Sequence, residues 1–69
     1  MKVLVNGDSL EIFEGASVAA LVESLGLPNK GIAVSILKDP DWEVLPRSEW
    51  HTTLTDGAEV EVVTAVQGG

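Results

Sequence analysis

Hydrophobic and polar positions alternate at both ends of the chain, and between them the period changes. Met1, Val3 and Val5 fall on one side of an alternation that has Lys2 and Leu4 on the other, which predicts a half-buried strand. Asn6-Gly7 follows and is a tight-hairpin signal, because both central residues of such a turn take positive φ. The returning strand is expected over Ser9 to Phe13. Glu14-Gly15-Ala16 breaks it, and Ser17 stands where a helix N-cap belongs. Val18, Leu21, Val22 and Leu25 then recur at helical spacing on one apolar face, with Gly26 and Pro28 as stop signals, so a short helix is predicted over 18–25.

Beyond Gly31, Ile32 to Leu37 is a β-branched strand candidate, Lys38-Asp39-Pro40-Asp41 a turn, and Trp42 to Leu45 a short returning strand. Pro46 opens a helical turn through Trp50, Thr52 to Leu54 is briefly extended, and Asp56-Gly57 is a second tight turn. Residues 58–66 form the longest predicted strand. Val60, Val62, Thr64 and Val66 share one side; Glu59, Glu61, Val63 and Ala65 share the other. A hairpin, one helix and further strands predict an α+β domain with the helix laid across one sheet face. The expected division is one domain over residues 1–66 and a flexible tail, Gln67-Gly68-Gly69, which has no apolar anchor.

Size and composition narrow the function. A chain of 69 residues buries only about 60% of the surface its unfolded form exposes. That leaves little room for a catalytic cavity beside a core, and favours a carrier, adaptor or subunit over an enzyme. With 45% hydrophobic and 22% charged residues the composition is that of a folded domain. The net charge of −7 disfavours nucleic acid and anionic membranes. The acidity serves either solubility or a partner with a basic docking face. The four basic residues, Lys2, Lys30, Lys38 and Arg47, are scattered along the chain. The absence of cysteine removes disulfides, thiolate metal sites and thiol redox chemistry. A lone histidine, His51, builds no metal site by itself. No apolar run approaches the roughly 20 residues of a membrane span, and the N-terminus carries no secretory pattern, so the expected location is cytoplasmic.

The remaining polar and aromatic candidates are few. Trp50 is expected in the core or packed at an edge, while Trp42 fits either packing or contact. His51 is expected at the surface, since no nucleophile accompanies it. Arg47 either meets a partner carboxylate or hydrogen-bonds a loop carbonyl. Glu59 and Glu61 repel on one strand face unless solvated or met by a basic surface.

Several segments together resemble a known family. Val5-Asn6-Gly7, Gly15-Ala16-Ser17-Val18, Gly31-Ile32-Ala33-Val34, Leu45-Pro46-Arg47-Ser48-Glu49-Trp50, Asp56-Gly57-Ala58-Glu59-Val60-Glu61 and Ala65-Val66-Gln67-Gly68-Gly69 run from end to end. In this order they are similar to the ThiS sulfur carriers of thiamin biosynthesis, which have the ubiquitin-like β-grasp fold. The segment Leu37 to Glu43 departs from that pattern by being longer than the family's usual turn.

The resemblance implies a mixed four- to five-stranded sheet with one helix across it, and a carboxylate on Gly69 that is the site of modification. A ThiF-type adenylating enzyme would use ATP to make that carboxylate an acyl-adenylate. A persulfide donor would convert it to a thiocarboxylate, and a ThiG-type thiazole synthase would take the sulfur. Val66, Gln67 and Gly68 would thread the partner's channel. Glycine suits this because it lacks a Cβ and reaches backbone angles closed to other residues.

The domain itself would catalyse nothing, bind no cofactor and be a monomer when free. Leu4, Val63 and Ala65, on the sheet face opposite the helix, are candidates for partner docking. The alternatives are another β-grasp sulfur carrier (a molybdopterin synthase small subunit, a cysteine-biosynthesis carrier or a Urm-like modifier) and an interaction module whose Gly-Gly is incidental.

Overall fold

In the computed structural model, residues 1–27 and 30–64 are described. Strands β1 (Lys2–Val5) and β2 (Asp8–Glu11) form the first hairpin, and helix α1 (Val18–Ser24) follows. Strands β3 (Ile32–Lys38) and β4 (Asp41–Leu45) form a second hairpin, and a 3₁₀ turn (Arg47–Glu49) leads on to β5 (Glu59–Thr64). The five strands make one mixed sheet in the order β2-β1-β5-β3-β4. The last strand is thus inserted at the centre, parallel to β1 and antiparallel to β3. This is the β-grasp arrangement expected from the sequence.

The first turn forms as its residues require. Asn6 has φ 52° and Gly7 φ 87°, so two residues suffice to bring Val5 opposite Asp8. That tight register starts β2 one residue earlier than expected and ends it at Glu11. Ile12 still bonds back to the Met1 carbonyl, but Phe13 has left the sheet and is 65% exposed. The helix ends one residue short of its expected limit, with Leu25 as its C-cap and Gly26 at φ 74° beyond it. The segment 37–43 is no loop. β3 continues through Lys38 and β4 restarts at Asp41, so only Asp39-Pro40 lies between the strands. The extra length is spent on hairpin pairing, including Leu37 opposite Trp42.

One face of the sheet is sealed by α1. Val3, Val5, Val34, Leu45, Val60 and Val62 pack with Val18, Leu21 and Val22 in a single core. At ~0.8 kcal/mol per buried CH₂, this cluster is the main stabilising term of so small a domain. The free N–H groups of the helix start are all satisfied. Val18 donates to the Thr52 carbonyl at 3.0 Å, Ala19 to that of Trp50 at 2.9 Å, and Ala20 to Ser17 Oγ at 3.1 Å. Residues 50–54 therefore anchor α1 as well as link the 3₁₀ turn to β5.

Candidate functional site

The strand that carries the chain toward residues 65–69 is the central one, β5. On one side β3 pairs with it as far as Thr64, opposite Ile32. On the other side β1 stops at Val5, opposite Val60. There the Asn6 backbone N–H donates to the Val60 carbonyl at 2.9 Å and the main chain turns away. The Asn6 side chain continues the ladder in its place. Val62 N–H donates to Asn6 Oδ1 at 2.8 Å, and Asn6 Nδ2 donates to the Val62 carbonyl at 3.1 Å. An amide side chain carries the same donor and acceptor as a peptide unit, so Asn6 stands in for a strand residue that β1 lacks. It holds β5 to within two residues of Thr64. The local sequence signal, Asn-Gly as a turn, explains the φ of Asn6 but not this second role.

The sheet face away from α1 is open. Alternation puts Leu4 on it, opposite Glu59, and Val63, opposite Ala33. Val63 is 58% exposed and Leu4 is half-buried. They share the face and sit on neighbouring strands, with Glu61 between the Leu4 register position and Val63. The same face carries two residues not assigned to it from the sequence. Trp42, 47% exposed, lies opposite Leu37, and Val44, 66% exposed, lies opposite Ser35. The signal was the alternation Trp42, Val44 within a returning strand, but the register that aligns it with Val63 is set by the hairpin tip. Ala65, Val66, Gln67, Gly68 and Gly69 lie outside the described residues.

The other candidates resolve into packing. Trp50 is buried, and its indole N–H donates to the Leu45 carbonyl at 3.2 Å. The Arg47 guanidinium lies 5.0 Å from the Trp50 ring centroid, a cation–π distance. Beside them a groove of about 640 Å³ is lined by Ser17, Ala20, Glu23, Arg47, Trp50 and His51. His51 is exposed there, its Nδ1 3.1 Å from the Ser48 carbonyl. Among the described residues, no group of three or more His, Cys, Asp or Glu side chains is placed to hold a metal, and no helix is long and apolar enough to cross a membrane.

Comparison with known proteins agrees with this architecture. The model of the ThiS family matches residues 3–69. The crystal structure of a thiamine biosynthesis protein (ThiS) from Geobacter metallireducens is 29% identical and superposes with a TM-score of 0.76, covering 100% of both chains. A solution structure of a thiamine biosynthesis protein from the same organism gives a TM-score of 0.78 at 29% identity, over 100% of this chain and 88% of that one. A thiazole synthase from Paramagnetospirillum magneticum is 29% identical over 70 residues. That match takes in the whole of this chain, which spans only 20% of the length of the synthase. With the family matched from Val3 through Gly69 and the β-grasp sheet in place, the chain belongs to the ThiS family of ubiquitin-like sulfur carriers.

Proposed function

We propose that the carboxylate of Gly69 is the working group, adenylated by a partner enzyme and converted to a thiocarboxylate that supplies sulfur for thiazole synthesis. The observation that carries this reading is the family match extending through Val66-Gln67-Gly68-Gly69, downstream of a central strand held on both edges. A carboxylate is a poor acyl donor. Attack of its oxygen on the α-phosphorus of ATP expels pyrophosphate and leaves a mixed anhydride, which is a good one. The terminal sulfur of a persulfide then displaces AMP, and two electrons from a thiol cleave the sulfur–sulfur bond to free the thiocarboxylate.

In this proposal the domain contributes recognition rather than catalysis, and it holds no cofactor, ATP being bound by the ThiF-type enzyme. The second partner is a ThiG-type thiazole synthase. A thiazole synthase whose own chain contains a counterpart to this entire protein supports that pairing. Leu4, Val63 and Ala65 belong to the docking face, and Val66, Gln67 and Gly68 pass through the partner's channel. The carrier is proposed to be cytoplasmic and monomeric between visits. It contacts neither nucleic acid nor membrane, in keeping with its charge of −7.

The test against the other β-grasp carriers is a transfer assay. Protein loaded with sulfur is offered to a thiazole synthase and, separately, to a molybdopterin synthase large subunit. Thiazole formation alone is expected. Molybdopterin formation alone would move the assignment to the other pathway.

A further inference from the structure

Two side chains extend the short parallel pairing of β1 with β5. That pairing sets Leu4 opposite Glu59 and Val5 opposite Val60. Its main-chain bonds include Leu4 N–H to the Ala58 carbonyl at 2.8 Å and Asn6 N–H to the Val60 carbonyl at 2.9 Å. Beyond one end, Asp56 Oδ1 accepts from Lys2 N–H at 2.8 Å. Beyond the other, the Asn6 amide exchanges two bonds with Val62. The second clip is built on the pair Asn6-Gly7, and that pair carries a chemistry of its own.

An asparagine followed by glycine is open to intramolecular attack. The Gly7 backbone nitrogen adds to Asn6 Cγ, a new nitrogen–carbon bond forms, and Nδ2 leaves as ammonia with the proton from that nitrogen. The product is a five-membered succinimide. Water then opens the ring at Cγ to give aspartate, or at the main-chain carbonyl to give isoaspartate, whose backbone runs through Cγ. Glycine favours the attack because no side chain crowds its nitrogen. A Cβ built on Gly7 would meet no heavy atom beyond its chain neighbours within 4 Å, so the space for ring closure is open. Asn6 and Gly7 are both exposed, so water reaches them. The clip opposes the reaction. With Oδ1 on the Val62 N–H at 2.8 Å and Nδ2 on the Val62 carbonyl at 3.1 Å, the amide is held against β5 by both of its ends. Cγ reaches the Gly7 nitrogen only after both bonds are broken.

We propose that Asn6 is a site of spontaneous deamidation gated by its clip on Val62, and that the reaction makes the opening of the clip lasting. Aspartate at this position keeps an acceptor for the Val62 N–H but offers no donor to the Val62 carbonyl, and it sets a charged oxygen against that carbonyl. Isoaspartate adds a carbon to the main chain and moves the carboxylate onto Cα, so both bonds are lost. Either product removes the hold on β5 nearest Thr64 on the β1 side, while β3 stays paired with β5 as far as Ile32 opposite Thr64. The gate is local, because it needs two hydrogen bonds at an exposed end of the sheet to open and leaves the core in place. The chain's other asparagine, Asn29, precedes Lys30, whose side chain crowds the attacking nitrogen, and it serves as the internal reference.

The test ages the full chain in mildly alkaline buffer, folded or unfolded in urea. Peptide mapping follows the amide-to-acid mass change at each asparagine, and fragmentation distinguishes isoaspartate from aspartate. Acid is expected at position 6 ahead of position 29. It should accumulate about five- to a hundredfold more slowly in the folded chain than in urea, as for a gate of two hydrogen bonds. Ser17→Ala destabilises the domain at the distant helix cap and should leave the folded-chain rate unchanged. The deamidated fraction, separated by its extra negative charge, should lose hydrogen-exchange protection most at Val62. Equal rates in the folded and unfolded chains would show that the clip is no gate. A rate raised about fivefold by Ser17→Ala would show that only global unfolding exposes the pair. Either result, an absence of acid at position 6 in the folded chain, or full protection of Val62 in the deamidated fraction would overturn the proposal.

Discussion

At Asn6 the main chain turns away from β5, yet the ladder does not end, because the side chain offers Val62 a donor and an acceptor at 3.1 and 2.8 Å. Removing it leaves two backbone groups beside a buried valine without their partners. Each such hydrogen bond contributes about 0.5–1.5 kcal/mol. Asn6→Ala should therefore cost about 1–3 kcal/mol by denaturant unfolding, and in hydrogen exchange it should lower protection most at Val62. Asn6→Asp retains the acceptor for Val62 N–H and should recover part of that protection. Equal loss of protection throughout the sheet would argue against a local clip. A different constraint applies to Gly68. If it threads a partner's channel, Gly68→Ala should leave unfolding unchanged and reduce adenylation at saturating carrier, since the added Cβ matters only inside the enzyme. A loss of stability instead would show that the substitution acts on the domain. At this scale the sequence was informative about conformation and silent about long-range partners. Asn6-Gly7 reads as a turn from two letters, whereas a bond from residue 6 to residue 62 depends on a parallel strand pairing that no local pattern encodes.

Among the elements, α1 is the most dependent on its neighbours. It has seven residues, too few to persist alone in water. Its face of Val18, Leu21 and Val22 is buried, and its first three N–H groups are taken by Thr52, Trp50 and Ser17. Ser17→Ala removes the Oγ that accepts from Ala20 and should cost about 1 kcal/mol in unfolding free energy. Ser17→Asp, which restores an acceptor, should return most of it. The helix was legible because its period, cap and stop all agreed. The β3–β4 hairpin was legible only in part. Its strands were marked by Ile32 to Leu37 and by Trp42 to Leu45, but Lys38 and Asp41 looked like turn residues and proved to be a paired position. Polar side chains at the end of an edge hairpin meet water whether or not the backbone is paired, so burial leaves no trace there. That shift in register decides which side chains share the face with Val63.

Across the whole molecule, the sheet separates two tasks. The face under α1 holds the core, and the opposite face carries the exposed Trp42, Val44 and Val63 with the acidic residues Glu59 and Glu61. The central strand serves both, alternating Val60 and Val62 inward with Glu61 and Val63 outward. Its last described residue, Thr64, immediately precedes the residues on which the proposed function rests. If that account is right, the domain is a holder and the chemistry belongs to Gly69. The most direct measurement is intact mass, with fragmentation of the terminal peptide, after incubation with a ThiF-type adenylating enzyme, ATP and a persulfide donor. The account predicts a gain of one oxygen-to-sulfur exchange, confined to Gly69 and abolished when ATP is withheld. An enzyme competent on another carrier that leaves this protein with neither adenylate nor thiocarboxylate, or sulfur found elsewhere on the chain, would contradict it.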